Sequence, residues 1–312
     1  MPHAFEQLKS KEEGTLRPIA IQLIIPFCIH HCPLCKRTMV QGRNTELMHA
    51  YMKALQREID ANADQFSDCE VKAIRLDGGL ASMAPASDVS ETIKQIKARY
   101  HVSHDVEITI RASISDISGA SMPFFLRSGI TRFDFEMMSL DSFDFPKVNQ
   151  RDNLRDFPIV CECFLHSYAN EKLGLVLAYG LKNDDAPLRR SALACVRGDA
   201  SHIELIEYEG EDAADTAEKN TQLEMIRSVF KKADLEEYAP LMFARNGRKD
   251  RFNTYTVSNF DTVGFGLGAI TRFDGAMTQN TDLMDDYLAH SDDFRLITVK
   301  AESLQAGQDH EE

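Results

Sequence analysis

Hydrophobic residues along this chain alternate between short continuous runs and helical spacing. The apolar run at residues 19–25 ends at Pro26, which predicts a buried strand. Apolar side chains then recur at helical spacing over residues 44–66. Thr45 and Ser87 are the predicted N-caps of the first two helices. The pattern therefore predicts a strand–helix unit near the start of the chain and a second helix soon after it.

The strand–helix alternation continues as far as residue 235. The segment over residues 155–172 is compatible with a strand or a helix, and Asp156 and Pro158 favour a helix start. Six strand–helix units indicate a parallel α/β fold. Because a closed barrel of this type needs eight, we expect a partial (βα)6 TIM-like barrel. The further strands are predicted over residues 70–76, 105–111, 131–138, 173–180 and 201–208, and the further helices over residues 87–100, 120–129, 155–172, 187–198 and 211–235.

The alternation is lost in the last quarter of the chain. We predict a barrel over residues 18–236 and a small, β-rich C-terminal extension over residues 237–300. Residues 1–17 form a polar N-terminal segment, and residues 301–312 are a predicted disordered tail. The sequence contains no internal repeat.

Composition narrows the classes of partner. The 35 basic and 49 acidic residues give a net charge of −14, which argues against a nucleic-acid partner because such binding relies on Lys and Arg. No apolar run is long enough to span a bilayer, and the N-terminal residues are too polar for a secretory signal. We therefore expect a cytoplasmic protein, in which clustered cysteines indicate metal or redox chemistry rather than disulfides.

Three of the 7 cysteines fall in the stretch "IIPFCIHHCPLCKR", as Cys28, Cys32 and Cys35. A C-x3-C-x2-C spacing arises by chance in roughly 0.4% of such chains, so the cluster is informative. A zinc site needs a fourth ligand such as His30 or His31. An iron–sulfur cube held by three cysteines keeps one iron open. Since the cysteines follow the first strand, they lie at the predicted catalytic mouth of the barrel. This position favours iron–sulfur over zinc or unligated thiols.

The cysteine loop resembles that of radical S-adenosylmethionine (SAM) enzymes. Further segments narrow the resemblance to the oxygen-independent coproporphyrinogen III oxidases and the related heme chaperones, over about residues 18–290. These segments are "IPFC", "LDGGLAS" at 76–82, "SGITRFDFEMMSLD" at 128–141, "NQR" at 149–151, "LVLAYGLKND" at 175–184 and "FNTYTVSNFDTVGFGLGAITRF" at 252–273.

This resemblance implies a [4Fe–4S] cluster on the three clustered cysteines, with SAM on the fourth iron. It places Gly78 and Gly79 in the SAM-binding loop and Arg151 at the SAM carboxylate. Alone, a glycine pair is often a plain turn, and a lone arginine is more often a solvated side chain. The implied chemistry is reductive cleavage of SAM to a 5′-deoxyadenosyl radical that attacks a tetrapyrrole-like substrate. The electron donor would be a protein such as flavodoxin or ferredoxin.

Several positions differ from the family pattern. Either Glu107 or Glu136 can replace the family glutamate that holds the SAM amino group. The leading prediction is a radical SAM oxidoreductase similar to coproporphyrinogen dehydrogenase. The alternatives are a heme-binding chaperone, or a pseudo-enzyme that keeps its cluster but has lost SAM turnover. The differing residues are Gln22, Leu34, Leu80, Arg111, Met138 and Val176, where the family has tyrosine, an aromatic residue, threonine, glutamate, glutamine and aspartate.

The other cysteines have simpler interpretations. Cys69 and Cys195 stand in apolar surroundings and are predicted core residues. Cys161 and Cys163 are two residues apart, which places them on different faces of a helix and argues against a shared metal.

Overall fold

The structure is a computed structural model that describes residues 16–29, 39–117, 121–142, 156–166 and 172–303. The strands are β1 Arg17–Ile25, β2 Phe27–Cys28, β3 Val40–Gln41, β4 Cys69–Gly78, β5 His101–Ala112, β6 Arg132–Met138, β7 Lys172–Tyr179, β8 His202–Glu207, β9 Glu236–Ala239, β10 Met242–Ala244, β11 Thr262–Phe265, β12 Ile270–Phe273, β13 Ala276–Asn280 and β14 Thr298–Ser303. The helices are α1 Thr45–Asn62, α2 Ala86–Arg99, α3 Met122–Arg127, α4 Asp156–His166, α5 Asp185–Arg197, α6 Thr216–Lys231, α7 Arg251–Val257, α8 Met284–His290 and α9 Phe294–Ile297.

Twelve of these strands form one sheet in the order β14-β13-β12-β11-β1-β4-β5-β6-β7-β8-β10-β9. The neighbours from β11 to β8 run parallel, and the strands outside them are antiparallel. Within the described residues no strand pairing joins the two edges of the sheet. The large parallel sheet, flanked by helices, confirms the predicted parallel α/β fold. The seventh parallel strand, β11, comes from the part of the chain that was predicted as an extension.

Two predicted helix starts are wrong by a residue or two. The N-cap of α1 is Asn44, whose side-chain oxygen accepts a hydrogen bond from the Leu47 backbone N–H at 3.1 Å, and Thr45 is the first helical residue. Asparagine is at least as good an N-cap as threonine, which explains the shift. Helix α2 begins at Ala86 after Pro85, without a side-chain cap, so Ser87 lies inside the helix.

Strand β6 shows that the two faces of the sheet are lined by different kinds of side chain. Phe133 and Phe135 contact the ring of Phe164 on α4, at centroid distances of 5.5 and 6.0 Å. The alternate residues of the strand, Arg132 and Asp134, point to the opposite face and are fully buried there. One face of the sheet therefore packs on helices with apolar side chains, while the other, called here the inner face, carries charged side chains.

The predicted core residues are confirmed, whereas the domain boundaries stay a prediction. Cys69 and Cys195 are both buried, and burial raises the pKa of the Cys195 thiol, as expected for an inert core cysteine. Residues 301–303 belong to β14, and the rest of the predicted tail lies outside the described residues. In the part of the chain that the structure describes, no helix is long and apolar enough to cross a membrane.

Candidate functional site

Cys28 lies at the carboxyl end of β1, where the sequence predicted it. It is 9% exposed and ends the short strand β2, which pairs in parallel with β3. The backbone N–H of Gly42 donates to the Cys28 carbonyl at 2.9 Å and holds this strand pair together. A buried thiol at the mouth of the barrel fits a cluster ligand. The other predicted site residues, Cys32, Cys35 and Arg151, lie outside the described residues, as do the alternative ligands His30 and His31.

The glycine pair at the end of β4 packs against the segment that leads to Cys28. Gly78 has a φ of +99°, a conformation that favours glycine. A Cβ atom on Gly79 would lie 2.4 Å from the carbonyl oxygen of Phe27. The same oxygen accepts a hydrogen bond from the Leu80 N–H at 2.8 Å. The close neighbour of this glycine is therefore the backbone next to Cys28, and a role of the pair in binding SAM stays a prediction.

A group of charged side chains, most of them buried, fills the inner face of the sheet. At its centre Arg75 is fully buried, and its guanidinium donates to Asp77 at 3.0 Å, to Asp134 at 3.0 Å and to Glu204 at 3.3 Å. These partners come from β4, β6 and β8, so one arginine connects three strands. The group, called here the interior charge cluster, consists of Arg75, Asp77, Glu107, Arg111, Arg132, Asp134, Lys172, Glu204 and Asp250.

Arg111 and Glu204 form the part of this cluster that bears most directly on SAM. Arg111 Nη2 lies 2.8 Å from Glu204 Oε2, which also accepts from Arg75. Burial alone would raise the pKa of Glu204, but the charges of Arg111 and Arg75 outweigh burial and lower it. Glu136, half-buried on β6, is close enough to Arg111 to favour its charged form.

The amino-terminal end of the sheet is held by a second set of ion pairs. Arg132 lies 3.2 Å from Glu107 and 3.4 Å from Asp250, and Lys172 also pairs with Glu107. Asp250 is fully buried just before α7, and it accepts from Thr109 at 3.1 Å. Burial would raise the pKa of Asp250, yet Arg75 and Arg132 lower it to about 2.

His202 lies beside these pairs with one unpaired nitrogen. Its Nε2 is 2.9 Å from the Tyr238 hydroxyl, and its Nδ1 is 3.9 Å from Asp134 Oδ1. Neither Nδ1 nor that oxygen has a hydrogen-bond partner among the described residues. Burial lowers the pKa of His202, and the charge of Arg132 adds to this effect. The imidazole is therefore neutral at pH 7.

The positions that the resemblance assigns to SAM contacts do not fit a SAM molecule. A guanidinium only donates hydrogen bonds, so Arg111 cannot accept one from an ammonium group. Met138 and Val176 are buried and supply no carboxylate or amide oxygen. Gln22 donates its side-chain N–H to Asp77 at 2.9 Å. The contacts expected from the family glutamate, glutamine and aspartate are thus absent at these positions.

The comparisons with known proteins agree with the predicted resemblance. No family model matches the chain. The heme chaperone HemW of Buchnera aphidicola from Schizaphis graminum is 25% identical over 168 residues, which cover 54% of this chain and 44% of that protein. HemW of Buchnera aphidicola from Acyrthosiphon pisum is 22% identical over 292 residues, 88% of this chain and 77% of that protein. Anaerobilin synthase of Escherichia coli O157:H7 is 26% identical over 209 residues, which cover 63% of this chain and 46% of that protein. The chain thus spans less than half of the first and third of these relatives.

The solved structure of HemN from Escherichia coli, a coproporphyrinogen III oxidase and radical SAM enzyme, superposes with a TM-score of 0.82. The alignment covers 93% of this chain and 73% of HemN at 16% identity. This chain has the HemN fold. The predicted resemblance to the radical SAM proteins of this group is confirmed by the HemW and anaerobilin synthase similarities and by the fold.

Sequence reasoning missed the interior charge cluster on this HemN-like sheet. The signal was present as charged residues at alternate positions of predicted strands, for example Arg75 and Asp77 in β4 and Glu107 and Arg111 in β5. Alternation of this kind normally indicates a solvated face, because charged residues are seldom buried. Only the tertiary structure, which brings side chains of β4, β5, β6 and β8 together on the inner face, shows that they pair with one another.

Proposed function

We propose that this protein holds a [4Fe–4S] cluster on Cys28, Cys32 and Cys35 and handles heme or a related tetrapyrrole without cleaving SAM, as a heme-chaperone-like protein. The observation that carries this proposal is the ion pair between Arg111 and Glu204, because a family carboxylate is replaced there by a buried, paired guanidinium. The similarity to HemW over 88% of the chain supports the tetrapyrrole ligand.

The cluster, when bound, supplies one-electron chemistry and an open iron. The chain's own contribution is to place the Cys28 thiol at the mouth and to shield it. Phe27, the residue before Cys28, is 1% exposed, and Leu80, whose N–H donates to the Phe27 carbonyl, is 7% exposed, so the backbone next to the thiol is packed among buried side chains. The backbone contact between Gly79 and Phe27 keeps this segment against β4. We expect such a site to hold a cluster without SAM.

The loss of SAM turnover follows from the contacts that are missing. A hydrogen bond to a charged group contributes about 1.5–3 kcal/mol. Losing several of them weakens binding by orders of magnitude, since each 1.4 kcal/mol is a factor of ten. Glu204 offers no simple replacement, because two arginines already share its carboxylate.

A second candidate function is the radical SAM oxidoreductase that the resemblance implied. Glu136 favours it, because this half-buried carboxylate lies beside Arg111 on the neighbouring strand. It can take over recognition of the SAM ammonium group, with Arg111 facing the SAM carboxylate. In that case an electron donor such as flavodoxin or ferredoxin is required, and a tetrapyrrole is the expected substrate.

The test is anaerobic reconstitution with iron and sulfide, followed by three assays on one preparation. The assays are cluster content, heme titration with a Soret shift, and formation of 5′-deoxyadenosine from SAM after reduction. Cys28→Ala is the diagnostic variant. Cys163→Ala is its matched control, because Cys163 is a half-buried thiol on α4, outside the clustered cysteines.

We expect the wild type and Cys163→Ala to hold a cluster and heme and to form no 5′-deoxyadenosine, and Cys28→Ala to lose the cluster. Product that depends on Cys28, and that is lost in Glu136→Gln, would establish the second candidate instead. Absence of heme binding at micromolar concentration would refute the chaperone role.

A further inference from the structure

The segment "GFGLGA" at residues 264–269 contacts the strand that leads to Cys28. The Leu267 N–H donates to the Tyr51 hydroxyl at 2.9 Å, and that hydroxyl donates to the carbonyl of Ile24 at 2.6 Å. A Cβ atom on Gly266 would lie 2.6 Å from the same Ile24 carbonyl oxygen. Gly266 has a φ of +111°, so the backbone itself makes this close approach.

Glu58 on α1 holds that segment in place. This carboxylate is 2% exposed and accepts three hydrogen bonds from distant parts of the chain. The donors are the Gly266 N–H at 2.8 Å, Asn280 Nδ2 at 2.6 Å and the Tyr287 hydroxyl at 2.6 Å. They come from the loop after β11, from the end of β13 and from α8. One side chain therefore joins α1 to three separate elements of the C-terminal region.

Contacts between aromatic rings connect Tyr287, a hydrogen-bond partner of Glu58, to Phe27 in β2. The ring of Tyr287 lies 5.3 Å from that of Tyr51, and Tyr51 lies edge-on to Phe27 at 5.4 Å. Phe27 is the residue before Cys28. Both tyrosines are fully buried, so movement of one ring displaces the next.

We infer that Glu58 is a positioning residue for the short strand β2, which ends in Cys28 and is called here the Cys28 strand. It acts through Tyr287 and Tyr51 and through the hydrogen bonds of residues 266 and 267. This inference rests on the proposed cluster site and adds a part of the chain that the site itself does not include. It assigns the C-terminal region a task in positioning the segment from Ile24 to Cys28.

The protonation of Glu58 makes the positioning sensitive to pH. Burial raises its pKa to about 7, against the lowering effect of the Tyr287, Asn280 and Gly266 hydrogen bonds. The ionisable groups facing it are Tyr51 and Arg57 on its own helix, Tyr100 and Tyr287. Above pH 7 the site contains a buried charge without a cationic partner in contact among the described residues, which favours local opening.

The experiment combines hydrogen exchange of the backbone at residues 23–28 with the rate of iron loss to a chelator. The variants are Glu58→Gln, which removes the charge, and Tyr287→Phe, which keeps the ring but removes the hydroxyl donor. Glu46→Gln is the matched control, because Glu46 is an exposed carboxylate in the first turn of the same helix. Exchange is measured on the cluster-free protein, so that it does not depend on reconstitution.

We expect Tyr287→Phe to raise exchange at residues 23–28 about fivefold at a fixed pH, with Glu46→Gln unchanged. The ratio of iron loss in the wild type to that in Glu58→Gln should rise between pH 6 and pH 8. Unchanged exchange in Tyr287→Phe, together with a constant ratio, would overturn the inference even if the cluster binds. Failure of the wild type to bind a cluster, with exchange altered as expected, would refute the proposed function and leave the positioning contact established.

Discussion

Arg111 Nη2 on β5 and Glu204 Oε2 on β8 lie 2.8 Å apart on the inner face of the sheet, and the same oxygen accepts from Arg75 at 3.3 Å. One carboxylate is thus shared by two buried guanidinium groups. Removing the carboxylate would leave Arg111 without this partner and beside the positive charge of Arg75, which keeps Asp77 and Asp134 as its own partners. A barrel that binds a cationic cofactor through a carboxylate at its mouth needs that carboxylate to be free. Here Glu204 is already paired with Arg111.

The first prediction concerns the stability that this carboxylate provides. Glu204→Gln should lower the free energy of unfolding by about 3–5 kcal/mol, because Arg75 and Arg111 lose their shared partner. Urea unfolding at pH 7 measures the change. Glu237→Gln is the control, since its pairing with Arg227 lies at the surface and such pairs contribute about 1 kcal/mol or less. A loss of less than about 1 kcal/mol for Glu204→Gln would show that the two arginines do not depend on it.

The second prediction concerns the contact between Gly79 and Phe27. Gly79→Ala should displace the Cys28 strand, because the new methyl group would meet the Phe27 carbonyl at 2.4 Å. We expect a stability loss of about 1–3 kcal/mol and a reduced cluster content after reconstitution. Gly275→Ala is the comparison variant: no atom lies within 4 Å of its Cβ position, but its φ of +75° strains an alanine, so it should lose stability without losing cluster content. Full cluster content in Gly79→Ala would mean that the strand does not need this close packing.

The third prediction concerns Glu58 and the pH dependence of stability. Its folded pKa of about 7 lies above the ordinary value of 4.5, so the folded state binds the proton more tightly than the unfolded state. Its contribution is therefore fully present below about pH 4.5 and is lost as the pH rises through 7. Melting temperatures measured from pH 5 to pH 8 should fall more steeply in the wild type than in Glu58→Gln. Parallel curves would contradict the raised pKa.

The fourth prediction concerns His202, whose contribution to stability is lost towards low pH, whereas that of Glu58 is lost towards high pH. Burial lowers its folded pKa below the ordinary value of 6.5, so the unfolded state binds the proton more tightly. The stability linked to this group is present above pH 6.5 and decreases as the pH falls below it. Chemical unfolding between pH 7.5 and pH 5.5 should show this slope in the wild type and less of it in His202→Gln. A ¹⁵N titration of the folded protein that gives the imidazole a pKa of 6.5 or above would refute the prediction.

The sequence by itself determined the strand–helix order and the position of Cys28, because both depend on local patterns. Apolar spacing reports which residues are buried and with what period, and a cysteine spacing of three and two residues is a local property of one loop. An error of one residue at the end of an element, such as the N-cap at Asn44 instead of Thr45, changes neither the strand–helix order nor the position of Cys28. The resemblance to the HemN and HemW group depended on short segments of the same local kind.

Only the tertiary structure decided what fills the inner face of the sheet. Arg75 meets Asp134, Glu204 and Asp250 across 59, 129 and 175 residues, and no local pattern encodes such distant partners. In the same way β11, from the last quarter of the chain, lies beside β1, and Glu58 accepts hydrogen bonds from residues more than 200 positions away. Charge alternation in a strand predicts which residues share a face. Whether that face meets water or other charges depends on how the whole sheet curves and which strands become neighbours.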